Sequence, residues 1–120
     1  MKKNKGKIIN ISSIFGKVSK EKRSVYASTK HAINGLTKTL ALDLAANNIL
    51  VNSVSPGVIE TPLTRKVLGQ SGIDKMKKEI PLKKLGKTED VANLILFLAS
   101  QYNSYITGQN YIIDGGYVVK

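Results

Sequence analysis

The chain has 120 residues, no cysteine and a formal net charge of +11. This length corresponds to one domain, and the lack of cysteine excludes disulfides and thiolate metal sites and favours a cytoplasmic protein. No apolar run approaches the roughly 18 residues of a membrane-spanning helix, so we expect no membrane partner.

The first half of the chain predicts a strand, a long helix and a second strand. Residues 8–11 are a β-branched run typical of a buried strand, and a loop follows to about Arg23. Ser24 is expected to cap a helix that ends near Asn47-Asn48. The apolar side of this helix consists of Ile33, Leu36, Leu40 and Leu44. Residues 49–54 predict the next strand, which Pro56-Gly57 ends, and this order implies two parallel strands.

The second half predicts an excursion, a helix and a last strand. Residues 61–87 are lysine-rich and are expected to form a mobile substrate lid with short helical pieces at 62–68 and 73–79. Thr88 is expected to cap a helix whose acidic first turn, Glu89 and Asp90, suits the helix dipole. The apolar stripe of this helix is Val91, Leu94, Ile95 and Leu98. Residues 110–113 predict the last strand, and Asp114-Gly115-Gly116 predicts a turn and a subunit contact. The order β-α-β-lid-α-β places the chain in the α/β class.

Three residues suggest proton-transfer chemistry. Lys30 follows Tyr26 by one helical turn, and Ser13 lies thirteen residues before the tyrosine. A nearby ammonium stabilises a phenolate, and a serine hydroxyl can hold a substrate oxygen. A Tyr-x-x-x-Lys pair also arises by chance on many helices. The pattern becomes informative because Ser13 and Pro56-Gly57 follow two neighbouring parallel strands, at the edge of the sheet where ligands bind.

These motifs resemble the classical short-chain dehydrogenase/reductase family, and the resemblance runs over essentially the whole chain in the right order. It rests on Asn10-Ile11-Ser12-Ser13, Tyr26-Ala27-Ser28-Thr29-Lys30, Asn52-Ser53-Val54-Ser55-Pro56-Gly57 with Thr61, Ile80-Pro81-Leu82 with Leu85-Gly86, Glu89-Asp90-Val91-Ala92, Tyr105-Ile106-Thr107-Gly108-Gln109 and Asp114-Gly115-Gly116. The resemblance implies a Rossmann-type, doubly wound parallel sheet with three α/β/α layers, of which residues 1–120 resemble only the C-terminal, catalytic half.

The resemblance also implies roles for individual residues. Tyr26 matches the catalytic acid/base, Lys30 the lysine that supports it and binds the nicotinamide ribose, and Ser13 the serine that orients the substrate oxygen. Tyr26 and Lys30 therefore count among the cofactor-binding residues, together with the loop residues Pro56, Gly57, Ile59 and Thr61. Ser12 competes with Ser13 for its role, and Thr61 can equally be a helix N-cap. His31 is assigned no chemistry, and no metal site is expected.

The implied activity is that of an NAD(P)-dependent oxidoreductase interconverting a carbonyl and an alcohol. Within the family the motifs look most like 3-oxoacyl-acyl-carrier-protein reductases, so the substrate is small or carrier-bound, and Lys83 and Lys84 would face an acidic carrier. Members commonly form tetramers or dimers. Because the lysines are scattered and only Arg23 and Arg65 are arginines, we expect no nucleic-acid partner.

Several family features are missing from this sequence. It contains no Gly-rich phosphate turn, no residue that would choose between NAD and NADP, and no match to the asparagine of the helix before the Ser13 strand. Residues 1–6 resemble the end of that helix and the loop that follows it. The first strand would then be an exposed edge. The alternative function is therefore a truncated, inactive fragment that acts at most as an assembly or interaction module.

Overall fold

A computed structural model describes residues 5–120, and the predicted end of a preceding helix falls mainly on residues 1–4, outside the described part. The elements, in chain order, are β1 (Gly6–Ile11), α1 (Ser24–Leu44), β2 (Ile49–Pro56), α2 (Pro62–Glu79), α3 (Thr88–Ala99) and β3 (Asn110–Ile113). Short 3-10 turns cover Ile14–Gly16, Ala45–Asn47 and Tyr117–Val119. The predicted α/β order is confirmed.

The three strands form one parallel sheet in the order β1-β2-β3. Ile8 lies opposite Val51, and Ser53 lies opposite Asn110. The central strand β2 is fully buried from Val51 to Ser55, whereas most of β1 is half-buried. The prediction of a buried first strand is therefore too strong, because within the described residues β1 forms an edge of the sheet.

Helix α1 packs on one face of the sheet through polar contacts. The Asn10 side-chain nitrogen donates to the Thr37 hydroxyl over 2.9 Å, and the Ser53 hydroxyl donates to the Asn34 side-chain oxygen over 3.1 Å. The buried residues of α1 are Ala27, Thr37 and Ala41, so the sheet-facing stripe is small and polar. Leu36 was predicted on the packed side, yet it is 52% exposed.

The opposite face of the sheet carries α3 and the segment after it. Lys7 donates to the backbone carbonyls of Ser100 and Asn103, and Asn52 donates to the carbonyl of Ile106 over 2.8 Å. Lys7 and Asn52 point away from α1 because neighbouring side chains of a strand alternate between faces. The sheet is thus covered on both faces. The β1-to-β2 and β2-to-β3 connections step in the same direction along the sheet, but their helices α1 and α3 cover opposite faces. The two connections therefore have opposite hands.

The N-caps of α1 and α3 differ from the predictions by one residue, and α1 ends at Leu44, with a 3-10 turn continuing to the predicted end near Asn47-Asn48. Arg23, and not Ser24, is the N-cap of α1, since its carbonyl accepts the first helical bond from Ala27. Lys87, and not Thr88, precedes α3, and its backbone N–H donates to the Asp90 carboxylate over 2.7 Å. Neither Arg23 nor Lys87 makes a side-chain cap bond, so the backbone conformation alone sets where the two helices begin.

The predicted lid forms one helical span that is broken once. Gly69 has φ 64° and ψ 177°, which divides α2 into two helical pieces close to those predicted. After α2, the backbone of Ile59 pairs with that of Gly86. Ile73, Ile80 and Leu85, all within residues 61–87, form a small buried core. None of the helices within residues 5–120 has the length and apolarity needed to span a bilayer.

Candidate active site

A cleft of about 340 Å³ opens at the carboxyl ends of β1 and β2. Five of the predicted site residues line it, namely Ser13, Tyr26, Gly57, Ile59 and Thr61. The remaining two, Lys30 and Pro56, lie behind this lining: Lys30 is one turn further along α1, and Pro56 is the last residue of β2. The predicted convergence at one edge of the sheet is therefore seen in the structure.

Tyr26 is held between a lysine and an aromatic ring. The Lys30 side-chain nitrogen lies 5.5 Å from the centre of the Tyr26 ring and donates to the Ile11 carbonyl over 3.2 Å. The Phe15 ring meets the Tyr26 ring edge-on at 6.1 Å between centroids. The tyrosine is 44% exposed, so its ring is supported on two sides and remains open to the cleft.

The two serines after β1 have different surroundings. Both serines are buried, but their hydrogen bonds differ: the Ser12 hydroxyl donates to the Lys30 carbonyl over 3.0 Å, which ties β1 to α1. Ser13 lines the cleft, and its hydroxyl oxygen accepts from the Phe15 backbone over 3.2 Å, so its own proton remains available. Of the two candidates, Ser13 has the geometry to contact a substrate oxygen.

The loop after β2 packs tightly against the turn after β3. The Gly57 backbone N–H donates to the Ile113 carbonyl over 3.0 Å. A Cβ at Gly57 would lie 2.8 Å from the Asp114 Cβ, so only glycine fits there. The Asp114 carboxylate accepts from the backbones of Gly116 and Val118, which makes this segment the predicted turn.

The segment 58–64 presents hydrogen-bond donors along the cleft. The Thr61 hydroxyl caps α2 by accepting from the Thr64 backbone over 3.1 Å, which confirms the predicted N-cap. The Thr64 hydroxyl in turn donates to the Ile59 carbonyl over 2.7 Å. Within residues 5–120 the Ile59 backbone N–H donates to no other group, because the neighbouring pairing uses Val58 and Glu60. The free Ile59 N–H suits a carboxamide or a phosphate oxygen, whereas the Thr61 hydroxyl donates to the Thr64 hydroxyl oxygen over 3.0 Å and would have to turn away from it to reach a ligand.

Several residues of the cleft were not predicted from the sequence. Phe15 and Arg23 belong to the loop between β1 and α1, where no periodic pattern marks a side chain as inward-facing. Leu63, Val67 and Leu68 form an apolar wall on α2. Their spacing on an otherwise lysine-rich helix is a signal that could have identified this wall.

Asn34 also escaped prediction. Its side-chain nitrogen donates to the Gly16 carbonyl over 3.0 Å and its oxygen accepts from Ser53. Asn34 therefore fixes the turn that carries Phe15. No group of three or more His, Asp or Glu side chains able to hold a metal occurs within the described range 5–120.

A family model described as enoyl-(acyl carrier protein) reductase matches residues 1–118. The chain is 46% identical over 119 residues to the 3-oxoacyl-[acyl-carrier-protein] reductase FabG of Thermotoga maritima, an alignment that covers 99% of this chain and 48% of that protein. The chain thus spans about half the length of the curated relatives it matches.

Solved structures show the same relationship. The structure titled ElxO with NADP bound has a TM-score of 0.88 and 43% identity, over 96% of this chain and 47% of that one. A 4-hydroxyisoleucine dehydrogenase mutant complexed with NADH and succinate has a TM-score of 0.92 and 39% identity, over 98% of this chain and 49% of that one. The expected fold is therefore confirmed: the three strands and their helices are part of a Rossmann-type sheet. From its family match, its relatives and its fold, the chain belongs to the classical short-chain dehydrogenase/reductase family.

Proposed function

We propose that this chain is the catalytic half of an NAD(P)-dependent oxidoreductase that interconverts a carbonyl and an alcohol. The observation that carries the proposal is the shared cleft of Ser13 and Tyr26, with Lys30 behind the tyrosine ring. Family membership supports it, as do the two similar proteins whose structures contain NADP and NADH.

In the proposed mechanism Tyr26 gives a proton to the carbonyl oxygen during reduction and takes it back during oxidation. The ammonium of Lys30 stabilises the phenolate that forms when the proton leaves. Ser13 donates its hydroxyl proton to the same substrate oxygen and thereby orients it. Phe15 keeps the Tyr26 ring in place, so little ordering is required when the substrate binds.

The residues beside the cleft fit a nicotinamide cofactor on chemical grounds. The free Ile59 N–H is a donor of the kind that a carboxamide needs, the Thr61 hydroxyl can turn from Thr64 to a phosphate oxygen, and Lys30 has N–H groups to spare for a ribose. Pro56 and Gly57 bring the backbone of this loop to the cleft. When bound, the cofactor supplies the hydride that the protein lacks. Nothing in these contacts selects between NAD and NADP.

For the substrate, we propose a small or acyl-carrier-bound carbonyl compound, as in the Thermotoga maritima relative. Lys84 lines a second cleft of about 200 Å³ that shares Val58 with the candidate active site. Lys83 is exposed next to it. Asp90 and Asp114 also line this second cleft, so the attraction to an acidic carrier protein would come from the two lysines alone. Changing Lys83 and Lys84 to Glu should then raise the KM of the carrier substrate and leave a small ketone unaffected, and equal effects would contradict the carrier.

The second candidate is an inactive module that acts through assembly. The unpaired edge of β1 and exposed apolar side chains on α1, such as Val25 and Leu42, favour this alternative because both are features of contact surfaces. In that case the 120-residue chain should form a defined oligomer by sedimentation. It should show no activity in any context.

The decisive experiment is a chimera in which this chain replaces the aligned residues of the Thermotoga maritima reductase. We expect the folded chimera to oxidise NADH or NADPH in the presence of a 3-oxoacyl substrate. The matched control carries Tyr26→Phe. A chimera that melts cooperatively and binds cofactor, yet turns over no carbonyl compound, would refute the enzymatic proposal. The inactive assembly module would then be the remaining candidate.

A further inference from the structure

The candidate active site has a single charged side chain in its lining. Of the thirteen residues that line the cleft, Arg23 is the one cation, and none is a carboxylate. Arg23 is the N-cap of α1 and precedes Tyr26 by three residues, so both side chains start on the same side of the helix. Arg23 is exposed and lines the cleft beside Tyr26, so its guanidinium can reach the space into which the tyrosine opens.

The acidic residues nearest to this position do not neutralise it. Glu21, two residues earlier, forms no ion pair with Arg23, and Glu60 at the edge of the cleft is already bound by Arg65 at 2.7 Å. Within residues 5–120, Arg23 takes part in no salt bridge and makes no side-chain cap bond. Its positive charge is thus available to a ligand.

The rest of the cleft restricts what that ligand can be. Leu63, Val67 and Leu68 make the wall on α2 apolar, and Phe15 adds an aromatic ring. A guanidinium binds carboxylates and phosphates through paired hydrogen bonds, which a lysine cannot reproduce. The complementary ligand is therefore apolar in its middle and anionic at one end.

We propose that Arg23 is a specificity-determining residue that binds an anionic oxygen group, a carboxylate or a phosphate, on the substrate whose carbonyl lies at Ser13 and Tyr26. This inference rests on the proposed function, since it concerns the substrate of the same site. A carboxylate would belong to a small oxo or hydroxy acid. A phosphate would belong to the phosphopantetheine arm of a carrier.

Binding by the 120-residue chain tests this inference without cofactor or turnover. The probes are two matched pairs, butyrate with butyramide and 4′-phosphopantetheine with pantetheine, titrated into the ¹⁵N-labelled chain by NMR. We expect at least one anion to bind about threefold to tenfold more tightly than its neutral partner, with shifts at the amides of residues 23–27. The preference should shrink at high salt.

Variants assign the preference to Arg23. Arg23→Gln should remove it, whereas Arg23→Lys should retain part of it. The matched control is Lys20→Gln, which removes one charge from the same exposed loop at a residue that does not line the cleft. Lys20→Gln should behave like the unchanged chain, so a general loss of positive charge is separated from a local contact.

The outcomes distinguish the two sources of the anion. A preference for butyrate alone supports a small acid, and a preference for the phosphate alone supports the carrier arm. Equal affinity within both pairs, lack of binding, or a preference that persists in Arg23→Gln overturns the inference. Because no step uses NAD(P)H, an inactive chimera would refute the proposed function while leaving this binding result intact.

Discussion

The side-chain nitrogen of Lys30 lies behind the Tyr26 ring, 5.5 Å from its centre, and also bonds the Ile11 carbonyl at the end of β1. One lysine therefore connects the strand that precedes Ser13 with the helix that carries the tyrosine. The charge that would stabilise a Tyr26 phenolate in the proposed mechanism is therefore held in place by the fold, without a ligand. Substitutions at Tyr26 should consequently affect chemistry and leave the local structure unchanged.

Tyr26→Phe removes the hydroxyl but keeps the ring contact with Phe15. In the chimera we expect kcat to fall about 10²-fold to 10⁴-fold, because the proton donor is lost, while the Kd for cofactor stays within about twofold. Steady-state kinetics and fluorescence titration measure the two quantities. Turnover comparable to the unchanged chimera would contradict the role of Tyr26.

Replacing each serine with alanine separates the two candidates after β1. Ser13→Ala should lower kcat by about 10²-fold, since a donor to the substrate oxygen is lost, with little change in stability. Ser12→Ala should instead reduce the free energy of unfolding by about 1 kcal/mol, because its buried bond to the Lys30 carbonyl disappears. Kinetics and urea denaturation give both numbers. The reverse pattern would transfer the substrate-orienting role to Ser12.

Thr61 has two possible tasks that the conservative variant distinguishes. Thr61→Ala should cost about 1 kcal/mol of stability through loss of the α2 cap, and Thr61→Ser should restore it. If the hydroxyl also binds cofactor, Thr61→Ala raises the Kd for NAD(P)H in the chimera and Thr61→Ser does not. If Thr61→Ser is destabilised as much as Thr61→Ala, loss of the cap is not the cause.

Two glycines allow a matched test of whether tight packing excludes a side chain at Gly57. A Cβ at Gly57 meets Asp114 at 2.8 Å, whereas a Cβ at Gly35 on α1 has no atom within 4 Å. Gly57→Ala should therefore destabilise the fold by about 1–3 kcal/mol, and Gly35→Ala should stabilise it by about 0.5–1 kcal/mol. Chemical denaturation of the 120-residue chain measures both. Similar effects of the two substitutions would show that the Gly57 contact is relieved by local movement.

The 120-residue chain alone should not bind NADH or NADPH in the micromolar range. Its sequence has no Gly-rich turn at a helix N-terminus to hold the pyrophosphate. The donors at Ile59 and Thr61 reach only a small part of such a ligand. Fluorescence titration with each cofactor, with the chimera as positive control, is the measurement. Micromolar binding by the chain would require a phosphate site elsewhere on this half.

Local patterns predicted the order of elements but not every packing face. The stripe Val91, Leu94, Ile95 and Leu98 is indeed the less exposed side of α3, with Leu98 buried and the other three half-buried. On α1 the same reasoning misplaced Leu36. The sheet-facing side there contains Asn34 and Thr37, which hydrogen-bond polar strand residues. A pattern within one helix does not report such partners on another element.

The candidate site was predicted where residues follow strand ends or lie on one helix face. Ser13, Tyr26 and Gly57 satisfy these rules, because parallel strands end at a common edge. Phe15 and Arg23 lie in an irregular loop whose path depends on the bond from Asn34 to Gly16. That bond joins residues 18 positions apart. Phe15 and Arg23 therefore reach the cleft only through this long-range contact, which no local sequence pattern indicates.

The sheet-facing stripe of α1 has a further consequence for how this chain can change. Tyr26, Lys30, Asn34, Thr37 and Ala41 follow one another along that stripe, at steps of three or four residues. The residues of the candidate site and the residues that pack on the sheet thus lie on the same side of the helix. Inserting a single residue between Lys30 and Asn34 would turn the two ends of the helix by about 100° relative to each other. The tyrosine would then leave the cleft or the packing contacts would leave the sheet, so the length of this segment is constrained as strictly as its residues.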